Sequence, residues 1–419
     1  MQGTPTPPTM SAGAVSRRSV LLGAASAAAG LGMPFIGNAA AAAPIRIGMI
    51  WGKAGSIAVQ GEYLAQGCTL AVEQQNGMVL DRPIELVWVD EVDPQTAQQN
   101  AQHLIDDQKV VALIGGTLSS HALAISAVAR RAKVPFVAAN AAAADLTGKA
   151  CNRYTFRLQP SADVQSRLLA PYALERGKRW YLLVPSYAFG QDIKTFNAAF
   201  LRRAGGTVVG TDDVPVATAD YSSYILKIRQ AKPDVVIGGL AASDLTTFLK
   251  QWNELGMKGR IPFAEIAVGA TDIWGVGPEA ATGTYAMTWY YNDPNNTPDD
   301  KAFAAAYQKK HGRPAADKAW MGWFGMKSLL GGIALAKSTD AAAIVTGMER
   351  WTAQDGDVTV RYRAWDHQML RRTLIVETKP KITDKWDYFD VKAALPVKAA
   401  DLDAAFGTPQ DVHCTMDQI

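Results

Sequence analysis

Short, uninterrupted apolar runs alternate with segments of helical periodicity, and this alternation constrains the fold more than any other feature of the chain. In the first part the apolar runs are IRIGMIW (45–51), IELVWVD (84–90), VVALIGG (110–116) and VPFVAAN (134–140). Helices are predicted between them, over 59–76, 94–108 and 120–132. Strands without polar alternation are buried on both faces, and helical connections make neighbouring strands parallel. The sequence therefore predicts an α/β fold with helix-covered parallel sheets.

A second series repeats the first. Its apolar runs are WYLLVPS (180–186), TVVGTDDVP (207–215), DVVIGGL (234–240) and IPFAEIA (261–267). Helices are predicted over 190–204, 220–231 and 243–255. Both series contain a strand ending in two glycines, a short turn ending in Ser, a helix, and a strand that begins with Pro-Phe. This similarity between the two series predicts two similar lobes whose strand ends face each other across a cleft.

Later segments return to each lobe. TYAMTWYYN (284–292) is predicted to cross between lobes, with helices near 299–311, 316–337 and 340–351, and strands at RYRAWDHQ and TLIVETKP. The predicted domains are an export signal over 1–43, lobe 1 over 44–159 and 288–365, lobe 2 over 160–287 and 366–391, and a tail over 392–419.

The N-terminal segment has the pattern of an export signal. Arg17 and Arg18 precede an apolar run rich in Gly and Ala, and small residues follow near Ala40–Ala43. This arrangement predicts a cleaved signal of the twin-arginine type and a protein outside the cytoplasm. Without those two arginines the chain has 40 basic and 39 acidic residues, a net charge of +1. No concentrated basic patch points to nucleic acid or a membrane surface.

The three cysteines lie in no CxxC pair, so a zinc or thioredoxin site is not expected. Outside the cytoplasm one disulfide is plausible. Cys68 lies among helix-patterned residues and is interpreted as a buried thiol. Cys151 and Cys414 are then either a disulfide that holds the C-terminal tail or two free thiols, because connectivity does not follow from sequence.

Enzyme and cofactor motifs are missing from the sequence. The five histidines form no HExxH array, and the chain contains no GxSxG elbow and no GxxxxGK[ST] phosphate loop. Outside the predicted export signal the GxG at 275–277 follows no strand and runs into Pro278, outside a dinucleotide-binding context. The sequence therefore predicts a protein that is not an enzyme and uses no metal or cofactor.

Several segments together resemble the periplasmic leucine/isoleucine/valine-binding protein family. They are IRIGMIW, LIGG…SS, NAAAADLT, SYAFGQD, DYSSYILKIRQAKPDVVI and RAWDHQ, in this order over 45–390. The resemblance implies a type I periplasmic binding protein with two Rossmann-like lobes joined by three hinge crossings. Its implied partners are a small carboxylate ligand and the permease and ATPase subunits of an ABC importer.

The resemblance also implies a ligand site. Ser119 corresponds to the serine that holds the ligand carboxylate, Asn140, Ala141 and Ala142 to the next binding loop, Tyr187 to a cleft aromatic, and Glu265 to the acid that accepts an ammonium. Leu240 stands where the family has a second aromatic, and Ala142 where amino-acid binders usually have Thr.

Four positions have two interpretations each. Tyr187 either contacts the ligand or packs within its loop, the first being favoured. Ser120 either contacts the ligand or caps the following helix, the second being favoured. Trp51 either covers the ligand or packs in the core, and Glu265 has a salt bridge at the lobe edge as its alternative to binding. The ligand expected from these residues is a hydrophobic or branched-chain amino acid. The alternatives are an aromatic or other non-amino carboxylic acid, and, less favoured, a substrate of an exported hydrolase.

Overall fold

The computed structural model describes residues 42–416, and the predicted export signal lies outside this range except for its last two residues. Two mostly parallel sheets organise the chain, as the sequence predicts. The first has the strand order β2-β3-β1-β4-β5-β6. These strands are β1 Ile45–Ile50, β2 Met78–Val79, β3 Arg82–Val89, β4 Ala112–Gly115, β5 Phe136–Ala138 and β6 Thr155–Arg157.

The second sheet has the order β16-β15-β11-β10-β9-β7-β8. Its strands are β7 Arg179–Pro185, β8 Thr207–Val214, β9 Val235–Gly238, β10 Phe263–Glu265, β11 Thr284–Met287, β15 Thr373–Thr378 and β16 Phe389–Leu395. Strands β7 to β11 are parallel, whereas β15 pairs antiparallel with both β11 and β16. The three remaining strands, β12 Thr352–Asp355, β13 Val358–Tyr362 and β14 Met369–Leu370, form a small antiparallel sheet.

Helices connect these strands and cover both faces of each sheet. They are α1 Ala58–Gln74, α2 Pro94–Asp106, α3 Ser119–Ala132, α4 Ala162–Leu174, α5 Ala188–Arg203, α6 Ser222–Ala231, α7 Ser243–Glu254, α8 Ala270–Val276, α9 Pro298–His311, α10 Asp317–Ala336, α11 Ala341–Arg350, α12 Leu402–Ala405 and α13 Pro409–Val412. All nine helices predicted from the periodicity are present. We call the first sheet with its helices the first lobe, and the second sheet with its helices the second lobe.

Side-chain alternation along the strands explains the two-sided burial. In β1, Ile47 and Met49 pack in the same core as α1 and α10, whereas Ile50 packs with residues of α2 and α3. In β10, Phe263 packs with Phe248 of α7, whereas Ala264 packs in the other core of the second sheet. Successive strand residues point to opposite faces of a sheet. Because both faces are covered here, both sets of residues in these strands are mostly apolar.

Two predicted domain boundaries need correction. The predicted return to lobe 2 is at residue 366, but β14 still pairs with β13 through Leu370, and the second sheet resumes at Thr373. The tail was expected from residue 392, but β16 continues to Leu395, which pairs with Thr373. In both places strand pairing continues beyond the change in composition on which the boundary was based.

The cysteines adopt one of the two arrangements that the sequence left open. Cys151 and Cys414 form a disulfide with a Cα–Cα distance of 5.7 Å, which joins the C-terminal segment to the first lobe. Cys68 is a free, buried thiol on α1, as predicted, and burial raises its pKa. Among residues 42–416 no single helix is long and apolar enough to cross a membrane; α10 and α11 meet that test together, but as a pair bent by 111°.

Candidate functional site

A cavity lies where the strand ends of the two lobes meet. It has a volume of about 350 Å³, including the part that opens to solvent. Its lining residues come from both lobes and are Gln60, Thr117, Leu118, Ser119, Asn140, Ala142, Tyr187, Phe189, Leu240, Ala241, Ile266, Ala267 and Lys318. Five predicted site residues are thereby brought together, namely Ser119, Asn140, Ala142, Tyr187 and Leu240. Ligands of open α/β sheets bind at this kind of position, beyond the carboxyl ends of the strands.

Ser119 lies at the first position of α3, after the turn that begins at Gly115-Gly116. Gly116 has φ +84°, and a Cβ there would come within 2.6 Å of Ala122, so the turn favours glycine. The Ser119 hydroxyl oxygen accepts the backbone N–H groups of Ala142 at 3.1 Å and of Ala143 at 3.0 Å. Because its acceptor capacity is used within the protein, the hydroxyl is left to donate. A buried donor at a helix N-terminus suits a carboxylate.

A buried side chain, Glu91, holds the loop before Ser119 by a hydrogen bond. Glu91 accepts the backbone N–H of Thr117 at 2.6 Å, and its other carboxylate oxygen lies 3.7 Å from Nδ1 of His121. Burial raises the pKa of Glu91, although His121 and the Thr117 contact oppose the shift. Sequence reasoning missed Glu91, whose only signal was an acid at the end of the second apolar run.

A chain of amide hydrogen bonds crosses the cavity from one lobe to the other. Gln60 donates from Nε2 to both carboxylate oxygens of Asp272, at 3.1 and 3.0 Å, and these residues belong to α1 and α8. Asn140 donates from Nδ2 to Gln60 Oε1 at 3.3 Å and to the Thr117 carbonyl at 2.8 Å. These acceptors determine which way both amides point. Within the described part of the chain, Asn140 Oδ1 is buried without a hydrogen-bond partner.

Lys318 is a cavity residue that the sequence analysis missed. It is 2% exposed, and its Nζ lies 3.2 Å from Asp317 Oδ2 and 3.5 Å from the Ala267 carbonyl. Asp317 also accepts the backbone N–H of Ala270 at 2.7 Å, so the start of α10 contacts the second lobe. The available signal was a charged pair at the start of an otherwise apolar helix.

Glu265, the predicted ammonium acceptor, lies next to the cavity-lining residue Leu240 but not in the lining itself. It is fully buried at the end of β10 on the α7 side, the face it shares with Phe263, and lies outside the set of residues that line the cavity. Across residues 42–416 neither of its carboxylate oxygens has a hydrogen-bond partner. Burial raises its pKa well above the ordinary value, and Asp272 adds to this shift. The side chain is therefore a buried carboxyl beside the cavity wall, where the backbone of the lining residue Leu240 opposes the rise of its pKa.

The other predicted residues are placed as follows. The N-cap of α3 is Leu118, so the prediction that Ser120 caps this helix is wrong: the helix begins one residue earlier than expected. Trp51 is fully buried in the core, the second of its two interpretations. Trp51, Ser120 and Ala141 lie outside the set of residues that line the cavity.

Two α/β lobes with a shared cavity at their strand ends, and a donor-only hydroxyl at a helix N-terminus, define a two-lobed ligand-binding protein. Comparison with known proteins identifies the family. The model of the periplasmic binding protein family matches residues 44–384. The chain therefore belongs to the periplasmic binding protein family, of the ABC-transporter type, whose members are solute-binding proteins of the periplasm.

Three similar proteins illustrate the family. Leu/Ile/Val-binding protein homolog 7 of Brucella abortus is 28% identical over 347 residues, covering 78% of this chain and 86% of that protein. An amino acid ABC transporter substrate-binding protein from Pseudomonas fluorescens has a TM-score of 0.76 at 25% identity, covering 84% of this chain and 96% of that one. A solute-binding protein from Rhodopseudomonas palustris, solved with 3,4-dihydroxybenzoic acid, has a TM-score of 0.76 at 21% identity, with coverages of 84% and 96%.

Proposed function

We propose that this chain is the solute receptor of an ABC importer and captures a small carboxylate with an apolar body in the cavity between its lobes. The observation that carries this proposal is Ser119, whose oxygen accepts two backbone N–H groups and whose O–H is left to donate at the N-terminus of α3. A carboxylate is an acceptor that gains from both the hydroxyl and the helix terminus.

The walls of the cavity support the second half of the proposal. Leu118, Phe189, Leu240 and Ile266 present apolar side chains to the same space, and Tyr187 adds an aromatic ring. Such a surface suits an aliphatic or aromatic body. The resemblance favours a hydrophobic amino acid, whereas no acid is among the residues that line the cavity. A carboxylic acid with an aliphatic or aromatic body is therefore the class that we propose.

The mechanism is capture by closure of the lobes around the hinge crossings. Three contacts join the lobes at the cavity: Gln60 with Asp272, Asp317 with the Ala270 N–H, and Lys318 with the Ala267 carbonyl. A bound ligand adds its own contacts to both walls, which stabilises the closed form. The ligand leaves unchanged when the lobes open at the permease.

Isothermal titration calorimetry with aliphatic and aromatic acids tests the site, using Ser119→Ala and Ser120→Ala as a matched pair. Ser119→Ala is expected to weaken binding about tenfold or more, because it removes the hydroxyl donor at the N-terminus of α3. Ser120→Ala is expected to stay within about twofold. Equal effects of the two variants would contradict the assignment, and recovery of a chemically altered acid would indicate a hydrolase instead.

The transport role and the export route are tested in the host. Deleting the gene is expected to abolish high-affinity uptake of the acid that binds in the calorimeter. Replacing Arg17 and Arg18 together with Lys is expected to retain the precursor in the cytoplasm, since the proposed route requires the arginine pair. Normal uptake in the deletion strain, or normal export of the variant, would refute the respective proposal.

A further inference from the structure

Two polar side chains of the cavity wall, Asn140 and Lys318, are not among the contacts proposed above for a carboxylate at Ser119. Asn140 has one unused acceptor, because Oδ1 is buried without a partner among the described residues and the residue is 9% exposed. Its orientation is not free: Nδ2 donates to two acceptors, the Thr117 carbonyl and Gln60 Oε1, and Gln60 is itself held by Asp272. A buried acceptor of fixed direction on a cavity wall calls for a donor from the ligand.

The charge at the wall decides what kind of donor fits. Lys318 is the one cation among the lining residues of this cavity in the described chain, and no acid is among them. The nearby acids have partners of their own. Asp272 accepts from Gln60 and from the backbone N–H of Gly269, and Asp317 accepts the Ala270 N–H beside Lys318. Glu265 lies beneath the wall on the other face of β10.

An ammonium group would therefore share the cavity with Lys318, and no acid lines the cavity to serve as its ionic partner, since Asp317 lies 3.2 Å from Lys318 Nζ and outside the lining. Burying a charge without an ionic partner is unfavourable, and a like charge nearby adds to the cost. A hydroxyl has no such cost and satisfies the same acceptor. We propose that the ligand is a hydroxy acid without an ammonium group, with its hydroxyl donating to Asn140 Oδ1 and with Lys318 discriminating against amino acids.

This inference rests on the proposed function, and the experiment separates the two. The purified protein is titrated with series of one skeleton each: leucine, isocaproate and leucic acid; phenylalanine, phenylpropanoate and phenyllactate; benzoate and its three hydroxybenzoates. In a series that binds, we expect a hydroxy acid to bind at least about threefold tighter than its unsubstituted acid. We expect it to bind at least about tenfold tighter than the amino acid where the series has one. Tightest binding of an amino acid, or no gain from any hydroxyl position, would overturn the inference alone. Failure of every acid to bind would overturn the proposed function and the inference with it.

Variants assign the preference to the two side chains. Lys318→Met is expected to reduce the preference for hydroxy acid over amino acid about tenfold, and Lys318→Gln to reduce it similarly, because charge rather than hydrogen bonding discriminates. Lys327→Met, the same change on the solvent side of α10, is the matched control and is expected to leave the ratio within about twofold. Asn140→Leu is expected to abolish the gain from the hydroxyl. An unchanged ratio in the Lys318 variants would refute the role of this residue, and the wild-type series decides the ligand class even where a variant does not fold.

Discussion

The buried carboxyl of Glu265 gives the sharpest test of the structure, because its protonation couples stability to pH. The side chain is fully buried, both oxygens are without a partner within residues 42–416, and burial raises its pKa well above the ordinary value. In the unfolded chain a glutamate titrates near about 4.3. Between these two pKa values the folded state holds a proton that the unfolded state has lost.

The sign and size of the effect follow from this difference. Where the folded state binds one proton more, the free energy of unfolding falls as pH rises, by up to about 1.4 kcal/mol per pH unit. Glu265→Gln removes this titration and keeps the size of the side chain. The stability of the variant relative to wild type is therefore expected to rise with pH from about pH 5 upward, with a slope approaching that value until the folded pKa is reached.

Urea unfolding at a series of pH values measures the slope. The slope is the diagnostic quantity, because the absolute offset also contains the burial of the glutamine amide. Glu279→Gln, an exposed change in the same lobe, is the control and is expected to follow wild type within about 0.5 kcal/mol. Parallel pH curves for wild type and Glu265→Gln would refute the assignment of a buried, protonated carboxyl. Ligand affinity of Glu265→Gln is expected to remain within about twofold, whereas a large loss would restore Glu265 as an ammonium acceptor.

Two further predictions concern the support of the cavity and the packing of the first lobe. Glu91→Leu leaves the Thr117 N–H buried without its acceptor, so we expect a loss of about 1–3 kcal/mol in unfolding free energy and weaker binding of the acid. We expect Glu91→Gln to restore most of both losses. Unchanged binding in Glu91→Leu would show that the loop does not need this contact. Gly67→Ala would place a Cβ 1.9 Å from the Ala319 carbonyl oxygen where α1 crosses α10, and we expect a loss of about 1–3 kcal/mol in urea unfolding, with wild-type stability as the contrary result.

Local patterns predicted the part of the site that is built locally. The strand, glycine turn and helix around Ser119 lie within one stretch of sequence, and the structure places this residue at the first position of α3, one residue before the predicted helix start. The same patterns predicted the helices to within two residues at each end. The error at Ser120 comes from a shift of one residue, because α3 begins at Ser119 and its N-cap is Leu118, which has no capping side chain.

Lys318 and the Asn140–Gln60–Asp272 chain could not be predicted in this way. Gln60 and Asp272 are 212 positions apart, and Lys318 reaches the cavity from a helix that the sequence places in a late return to the first lobe. A single sequence contains no signal that connects such positions. Their neighbours become known only when the two lobes are assembled.

The placement of Glu265 shows why the residues for the two ends of the ligand differ in how well they can be predicted from sequence. A short apolar strand such as IPFAEIA has no polar alternation to show which residues face the cavity, and both faces are buried. The structure directs Glu265 to the face of Phe263 and leaves Ile266 and Ala267 at the cavity wall. A change of one position in a strand reverses the direction of a side chain. The carboxylate end depends on a backbone turn, which sequence marks with glycines, whereas recognition of the other end depends on such directions and on contacts between lobes. In the function that we propose, the glycine turn before α3 holds the carboxylate, and Asn140 and Lys318, which only the assembled lobes bring to the cavity, select which acid is bound.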